Sequence, residues 1–313
     1  MAPQPILTTP DGTPISGYCF GTMQFGGKAD ADESRAMYDA CRGAGINFFD
    51  TAYGYTEGAS ETLLGQFANP EREKLFIATK CAHPGDSKAD TITRQFDESR
   101  QRLGMDIVDM LYLHRWDDDT PLEETFGALA KMSEAGTIRH IGVSNFSAWQ
   151  VMKAARVAHD FSLSITMLQP MYNLVKRQAE VEILPMAQAE GFAVVPYSPL
   201  GGGLLTGKYG AGATGRITDD PMYKARYGQD WMHAAAASLS DFAAELGVSP
   251  ITLAVAWVAR NPGITAPIVS GSSAAQLQPS LAAMTFDMDD DLYARITALT
   301  PTPPPATDRT EEV

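Results

Sequence analysis

The sequence predicts an α/β protein built as one (β/α)8 TIM barrel with long loops on its C-terminal face. Short β-rich apolar runs alternate with longer amphipathic segments, eight such runs are present, and no Pro- or Ser-rich linker divides the 313 residues. Barrels of about 250 residues form one unit. Residues 1–300 are therefore expected as a single domain. Residues 301–313, with Pro301, Pro303, Pro304, Pro305 and an acidic tip, are expected as a flexible tail.

In chain order, Ile6–Ser16 alternates around Asp11-Gly12, a hairpin signal, placed where it would plug the bottom of a barrel. Strands are expected at Tyr18–Gly21, Asn47–Asp50, Leu75–Thr79, Met110–Leu113, Ile138–Val143, Ile165–Leu168, Ala193–Pro196 and Thr265–Val269. Between them, helical periodicity marks Glu33–Ala44, Ala89–Leu103, Leu122–Ala135, Ala148–Ala158, Gln178–Ala189 and Ile251–Ala259. Gly43, Gly104, Gly136 and Gly191 stand where a helix needs a residue that tolerates positive φ to end it. Thr120-Pro121-Leu122-Glu123 reads as an N-cap, a Pro at the first helical position and an acid in the first turn. Gly201–Tyr227 interrupts the rhythm with glycines and basic residues, and a loop longer than ~15 residues in a domain is functional or disordered.

Composition narrows the function. Lys+Arg 24 against Asp+Glu 38 gives a net charge of −14, which repels phosphate backbones, and no basic stripe offsets it. No run approaches the ~18 apolar residues of a membrane span, and the first ten residues lack the charge and apolar core of a secretion signal. Three widely spaced cysteines, Cys19, Cys41 and Cys81, fit reduced thiols and a cytoplasmic location. The five histidines form none of the zinc spacings, so no metal is expected.

In such a barrel, chemistry sits just past the C-terminal ends of the strands. Those positions hold Thr22, Asp50, Lys80, His114, Ser144-Asn145, Gln169, Tyr197-Ser198 and Ser270 to Ser272. Asp50 and Lys80 pair as a structural salt bridge or as part of a site. Tyr55 follows Asp50 on the same loop, and a neighbouring ammonium is expected to lower a phenol's pKa from ~10, making Tyr55 a proton donor. His114 is either a core histidine or a group that orients a substrate oxygen or shares the acid role. Tyr53 is a pocket wall or a packing aromatic.

These residues resemble the aldo-keto reductase family, general bacterial-type branch: Phe48-Phe49-Asp50-Thr51-Ala52 with Tyr55, Ala78-Thr79-Lys80, Leu113-His114-Arg115, Gly142-Val143-Ser144-Asn145-Phe146 and Tyr197-Ser198-Pro199-Leu200, in family order between about Phe20 and Leu281. The resemblance implies a reversible hydride transfer between C4 of a nicotinamide and the carbonyl carbon of an aldehyde, ketone or sugar. Its tetrad falls on Asp50, Tyr55, Lys80 and His114: Tyr55 would protonate the carbonyl oxygen, Lys80 and Asp50 would tune it, and His114 would orient the substrate. Ser144, Asn145 and Gln169 would hold the carboxamide, Tyr197 would stack on the nicotinamide or simply pack at the rim, and Thr22 and Met23 would line the cofactor. Ser198, Leu200 and the Gly201–Gly203 backbone resemble the pyrophosphate loop, with Gly203 leaving its amide open to an anion. Lys208 and Arg216, each a surface residue on its own, would add charge there.

The adenosine end departs from the common family pattern. Ser270-Gly271-Ser272 stands where many relatives carry Gly-Ala-Arg, while Gln276 is retained. The missing Arg removes a guanidinium fork for a 2′-phosphate. The potassium-channel β-subunit branch is similar in having Ser at this place and uses NADP, so NADP(H) is favoured, with NAD(H) left open. Met23, Tyr53, Trp116 and Tyr223 are expected to wall the substrate pocket, although Trp116 serves equally as loop packing. The partner is then a small carbonyl or alcohol compound, not nucleic acid or membrane; the residues fix neither the substrate, the direction nor the oligomeric state.

Two other motifs fall short. Gly202-x4-Gly207-Lys208 lacks the hydroxyl residue of a P-loop, and Gly142-Val143-Ser144-Asn145-Phe146 lacks the last Gly of a nucleophile elbow. Competing functions are a non-enzymatic nicotinamide-binding regulatory subunit and a Schiff-base aldolase using Lys80.

Overall fold

Period-two alternation in the apolar runs decides which side chains enter the lumen of the barrel. In the computed structural model, which describes residues 5–210, 212 and 214–312, eight parallel strands are hydrogen-bonded in the order β7-β6-β5-β4-β3-β2-β1-β8. The strands are β1 Cys19–Gly21, β2 Phe48–Asp50, β3 Phe76–Cys81, β4 Val108–Leu113, β5 Ile138–Ser144, β6 Ile165–Gln169, β7 Ala193–Val194 and β8 Ile268–Val269. Thr265 N and Ile268 N donate to Val194 O (2.8 Å) and Pro196 O (2.9 Å), joining the two ends of the sheet.

The crossover helices are α1 Ala31–Gly43, α2 Ala59–Ala68, α3 Ala89–Leu103, α4 Leu122–Glu134, α5 Ala148–Asp160 and α6 Ile183–Glu190. Between β7 and β8 lie α7 Arg216–Asp219, α8 Pro221–Tyr227, α9 Asp230–Glu245 and α10 Pro250–Arg260, and α11 Ala274–Ala282 and α12 Asp290–Thr297 follow. Among the described residues no single helix is long and apolar enough to cross a membrane.

Phe48, Phe76, Ala78, Met110, Tyr112 and Met167 fill the lumen. Their neighbours Phe49, Ile77, Leu111, Leu113 and Leu168 point outward into the layer beneath the helices. Two residues on from the lumen set, the same faces carry Asp50, Lys80, His114 and Gln169, so strand periodicity alone aims these four inward. Burial of the two apolar layers supplies the main stabilisation at roughly 25 cal/mol per Å2.

The N-terminal hairpin forms, with Thr8 and Pro14 bridged antiparallel and Gly12 turning the chain at φ 88. Its Leu7 and Ile15 pack against the lumen residues, closing the barrel bottom.

Several local expectations are corrected. Gly43 lies inside α1, and the positive φ that follows the helix is at Gly45, because Ala44 still bonds back to Ala40 O. Gly104, Gly136 and Gly191 do take positive φ. Pro121 rather than Thr120 caps α4, since the Thr120 hydroxyl is turned to Asp117 Oδ2 at 2.6 Å. The helix expected over Gln178–Ala189 is broken: a 3-10 turn at Gln178–Glu180 precedes α6. The seventh strand stops at Val194, two residues before the end expected at Pro196, a residue with no N–H to donate to a neighbouring strand. Gly201–Tyr227 contains a 3-10 turn at Gly201–Thr206 as well as α7 and α8. Residues 301–309 carry no helix or strand, and most of them are exposed.

Candidate active site

β2 and β3 set Asp50 beside Ala78, and β3 and β4 set Lys80 beside Tyr112. This register places the Lys80 ammonium, fully buried, against the Asp50 carboxylate, with which it forms an ion pair and a hydrogen bond. Lys80 Nζ also donates to Thr51 O at 2.8 Å and to the Tyr55 hydroxyl at 3.3 Å, and lies 4.8 Å from the centre of the Tyr55 ring. The second Asp50 oxygen accepts from Gln169 Nε2 at 2.9 Å. A buried charge pair is tolerated when its remaining lone pairs and protons are satisfied. Here both carboxylate oxygens and three ammonium directions have partners.

Tyr55 comes from the loop after β2 rather than from a strand. It opens a 3-10 turn, Tyr55–Gly58, whose Thr56 and Glu57 adopt φ of 46 and 55. Its ring meets the His114 ring edge-on at 5.9 Å, and His114 meets His83 edge-on at 5.4 Å. Among the described residues neither imidazole has a hydrogen-bond partner, and both Nδ1 atoms are buried.

The expected lowering of the Tyr55 pKa is overturned: burial raises it above the phenol's usual value, and the opposing Lys80 charge does not cancel that. Burial also works against the Lys80 ammonium, but Asp50 and Tyr55 outweigh it and hold the amine charged. Burial, with Lys80, His83 and Arg115 nearby, depresses His114 to about 3. It is a neutral imidazole near pH 7 and cannot share the acid role as an imidazolium.

Around this cluster opens a cavity of about 850 Å3, within the size range of small-molecule and cofactor sites. Met23, Asp50, Tyr55, His114, Ser144, Asn145, Gln169, Tyr197, Ser198, Leu200, Gly203, Lys208, Arg216, Ser272 and Gln276 line it, so the structure brings these sequence-selected positions together. Lys80 lies directly beneath, reached through Asp50 and Tyr55.

The Asn145 amide is already engaged: it donates to His114 O at 2.9 Å and accepts from the Tyr197 hydroxyl at 2.6 Å. Tyr197 is thereby pinned at the seventh strand's mouth. Asn145 and Ser198 have φ of 59 and 61, turning the chain sharply directly after β5 and four residues beyond the end of β7. Ser272 donates to Gln276 Oε1 at 2.7 Å.

Three expected residues lie elsewhere. The Thr22 hydroxyl is buried against Ser60 Oγ (2.8 Å) and Asp50 O, leaving Gly21 and Met23 to line the cavity. Tyr53 turns away from the pocket: its hydroxyl bonds to Glu98 at 3.0 Å and its ring lies under the Arg102 guanidinium, charged groups that draw it to the surface. Trp116 packs on Phe146 and Trp149 with its Nε1 on Asp118 (2.7 Å), outside the cavity, so its loop-packing alternative holds. Tyr223 does line the cavity.

The sequence reading missed His83, Arg226 and Lys28, all of which line the cavity. A signal for His83 existed: it follows β3 by two residues, as His114 follows β4 directly. Lys28 and Arg226 stand far from any strand end and carried none.

The residues fit a nicotinamide dinucleotide on several grounds. Gly202 and Gly203 have φ of 65 and 97, and a Cβ on Gly202 would lie 2.8 Å from Tyr223. The Gly203 amide, expected to stay open to an anion, instead donates to Leu200 O at 3.0 Å, and the Gly201 amide to Ser198 O at 2.9 Å, because the loop winds into a 3-10 turn. Arg216 stacks on Tyr223 at 5.0 Å and donates to its hydroxyl. A glycine turn without side chains, with Lys208 and Arg216 lining the same cavity, lets an anion approach closely.

Comparison with known proteins agrees with this geometry. The sequence profile of the Aldo/keto reductase family matches residues 18–301. The chain is 32% identical to the uncharacterized oxidoreductase YrpG of Bacillus subtilis (strain 168), covering 93% of this chain and 94% of that one. It is 34% identical to a probable voltage-gated potassium channel subunit beta of Oryza sativa subsp. japonica, over 87% of this chain and 88% of that one. It is 31% identical to protein tas of Escherichia coli (strain K12), over 91% and 94%.

Proposed function

Because the chain belongs to the aldo/keto reductase family, we propose that it is an NAD(P)H-dependent reductase of aldehydes, ketones or open-chain sugars, with Tyr55 as general acid. The single observation that carries this reading is the Lys80–Tyr55–His114 cluster at the floor of a cation-lined cavity. When bound, the dinucleotide supplies the hydride; the protein supplies the proton and the polarising environment. Lys80, held charged by Asp50, lies 3.3 Å from the phenol oxygen and stabilises the phenolate left when the proton moves to the carbonyl oxygen. Neutral His114 offers a hydrogen bond without competing for that proton.

Tyr197, Asn145, Ser144 and Gln169 would hold the nicotinamide end. Gln169 Nε2 is committed to Asp50, so its Oε1 is the group left for a carboxamide. Ser198, Leu200, Gly203, Lys208 and Arg216 would hold the phosphates, and Ser272 and Gln276 the adenosine. The cations support NADP(H) over NAD(H). A Schiff base on Lys80 is disfavoured, since that amine is charged and fully hydrogen-bonded. The likeness to a channel β subunit favours a second reading, nicotinamide binding without turnover.

Titration with NADPH and NADH, followed by nicotinamide fluorescence with and without aldehydes, tests the proposal. Binding with aldehyde-dependent oxidation supports the reductase. Binding alone moves the reading to a regulatory subunit, and no binding removes the nicotinamide.

A further inference from the structure

On a chain of net charge −14, the cavity is lined by five cations, Lys28, Arg115, Lys208, Arg216 and Arg226, and by one carboxylate, Asp50. Asp50 is engaged by Lys80 and Gln169. Among the described residues none of the five cations has an ion-pair partner, although carboxylates are abundant and pair with many other basic side chains, as in Arg42–Glu71 and Arg177–Glu180.

The five do not stand together. Lys208, Arg216 and Arg226 belong to the connection between β7 and β8, where the glycine loop and Tyr223 lie, and Lys28 lies on the loop after β1. Arg115 stands apart, on the loop after β4, next to His114 in sequence. Its charge acts on both His114 and His83. Among the described residues it has no hydrogen-bond or ion-pair partner.

We propose that Arg115, which lines the same cavity as His83, is a substrate-recognition group that selects carbonyl compounds carrying a carboxylate or phosphate. This rests on the reductase reading above and names its substrate class. A guanidinium binds such groups through two parallel N–H donors, and an imidazole with no internal partner supplies a further polar contact. The phosphates of a dinucleotide do not account for Arg115, because the glycine turn and the cations beside it lie on the β7–β8 side. A neutral aldehyde leaves the guanidinium without a counter-charge; an anionic one supplies it.

The test measures kcat/KM with saturating NADPH for two matched pairs: 4-oxobutanoate against butanal, and glyceraldehyde 3-phosphate against glyceraldehyde. The wild type is expected to prefer the anionic member by about ten- to a hundred-fold, the range of a charged hydrogen bond. The larger of the two ratios identifies carboxylate or phosphate. Arg115→Gln should collapse that ratio toward one, chiefly through KM, and Arg115→Lys should restore part of it. Because Arg115 is exposed, these variants should fold. A wild-type ratio near one, or a ratio unchanged in Arg115→Gln, overturns the proposal while leaving the reductase reading intact. Failure to oxidise either NADPH or NADH with any of the four compounds overturns the reading and the proposal together.

Discussion

The Lys80 ammonium lies 3.3 Å from the Tyr55 hydroxyl, while its other protons go to Asp50 and Thr51 O. One cation thus serves both a buried carboxylate and a phenol at the cavity floor. Removing the phenol alone should leave the charge pair and the cofactor surface in place. Tyr55→Phe is therefore expected to lower kcat for carbonyl reduction by about 10²–10⁴-fold with NADPH affinity nearly unchanged. Steady-state kinetics and fluorescence titration check it, and retention of most of the turnover would remove Tyr55 from the acid role.

The pH dependence of reduction should be nearly flat across the range where histidines ordinarily titrate. His114, depressed to about 3, stays neutral there, and Tyr55, raised above the usual phenol range, keeps its proton past pH 10. The protonated acid is lost only as pH rises above that value, so kcat should fall on the alkaline side alone. A kcat inflection near pH 6.5 that disappears in His114→Asn would contradict the neutral assignment.

The same depression couples His114 to stability. Its folded value is about 3 against 6.5 in the unfolded chain, so between these pH values the unfolded state binds the extra proton. Stability from this group is present above about pH 6.5 and is lost as pH falls toward 3, up to roughly 3–5 kcal/mol. Urea unfolding at pH 7.5 and pH 4.5 should show a smaller acid loss in His114→Asn than in the wild type.

Asp50→Asn is expected to destabilise the fold by about 3–5 kcal/mol, because it leaves a fully buried ammonium without its counter-charge. Gln169→Leu removes only the amide on the second oxygen and should cost less, about 1–3 kcal/mol. Denaturation midpoints of the two variants give the order directly; equal losses would mean that the ion pair adds nothing beyond hydrogen bonding.

Lys208→Met and Arg216→Met should weaken NADPH binding about tenfold or more while NADH binding changes less, if these cations meet a 2′-phosphate. Equal weakening of both cofactors assigns them to the pyrophosphate instead. Competitive fluorescence titration distinguishes the two.

Gly65→Ala should destabilise by about 1–3 kcal/mol. A Cβ there would sit 2.3 Å from Leu103 O and 2.7 Å from Leu103 C, backbone atoms at the end of α3 that cannot swing aside. A thermal melt matching the wild type would show that α2 can shift away from α3.

Which residues face the lumen was legible because β structure repeats every two residues: Phe48 and Asp50, Phe76 to Lys80, and Met110 to His114 share one face. Tyr55 was legible only through the family motif, since its position depends on a turn with two left-handed residues that no periodicity encodes. Tyr53 and Trp116 misled because an aromatic near a strand end has two ways to bury its ring. Glu98 and Arg102 on α3 decided the first, and Phe146 with Trp149 the second. The Tyr55 pKa was misjudged because the sequence shows the neighbouring ammonium and not the depth at which the phenol sits.

Asp50 and Gln169 are 119 positions apart in the chain, yet one amide proton joins them across the lumen. During synthesis, Asp50 and Lys80 are both present long before β6 exists to supply that amide. Without β6 the second Asp50 oxygen would lack this donor. The second Asp50 oxygen finds its amide only when the sixth strand docks, so the cluster at the cavity floor is completed by a contact that spans more than a third of the chain.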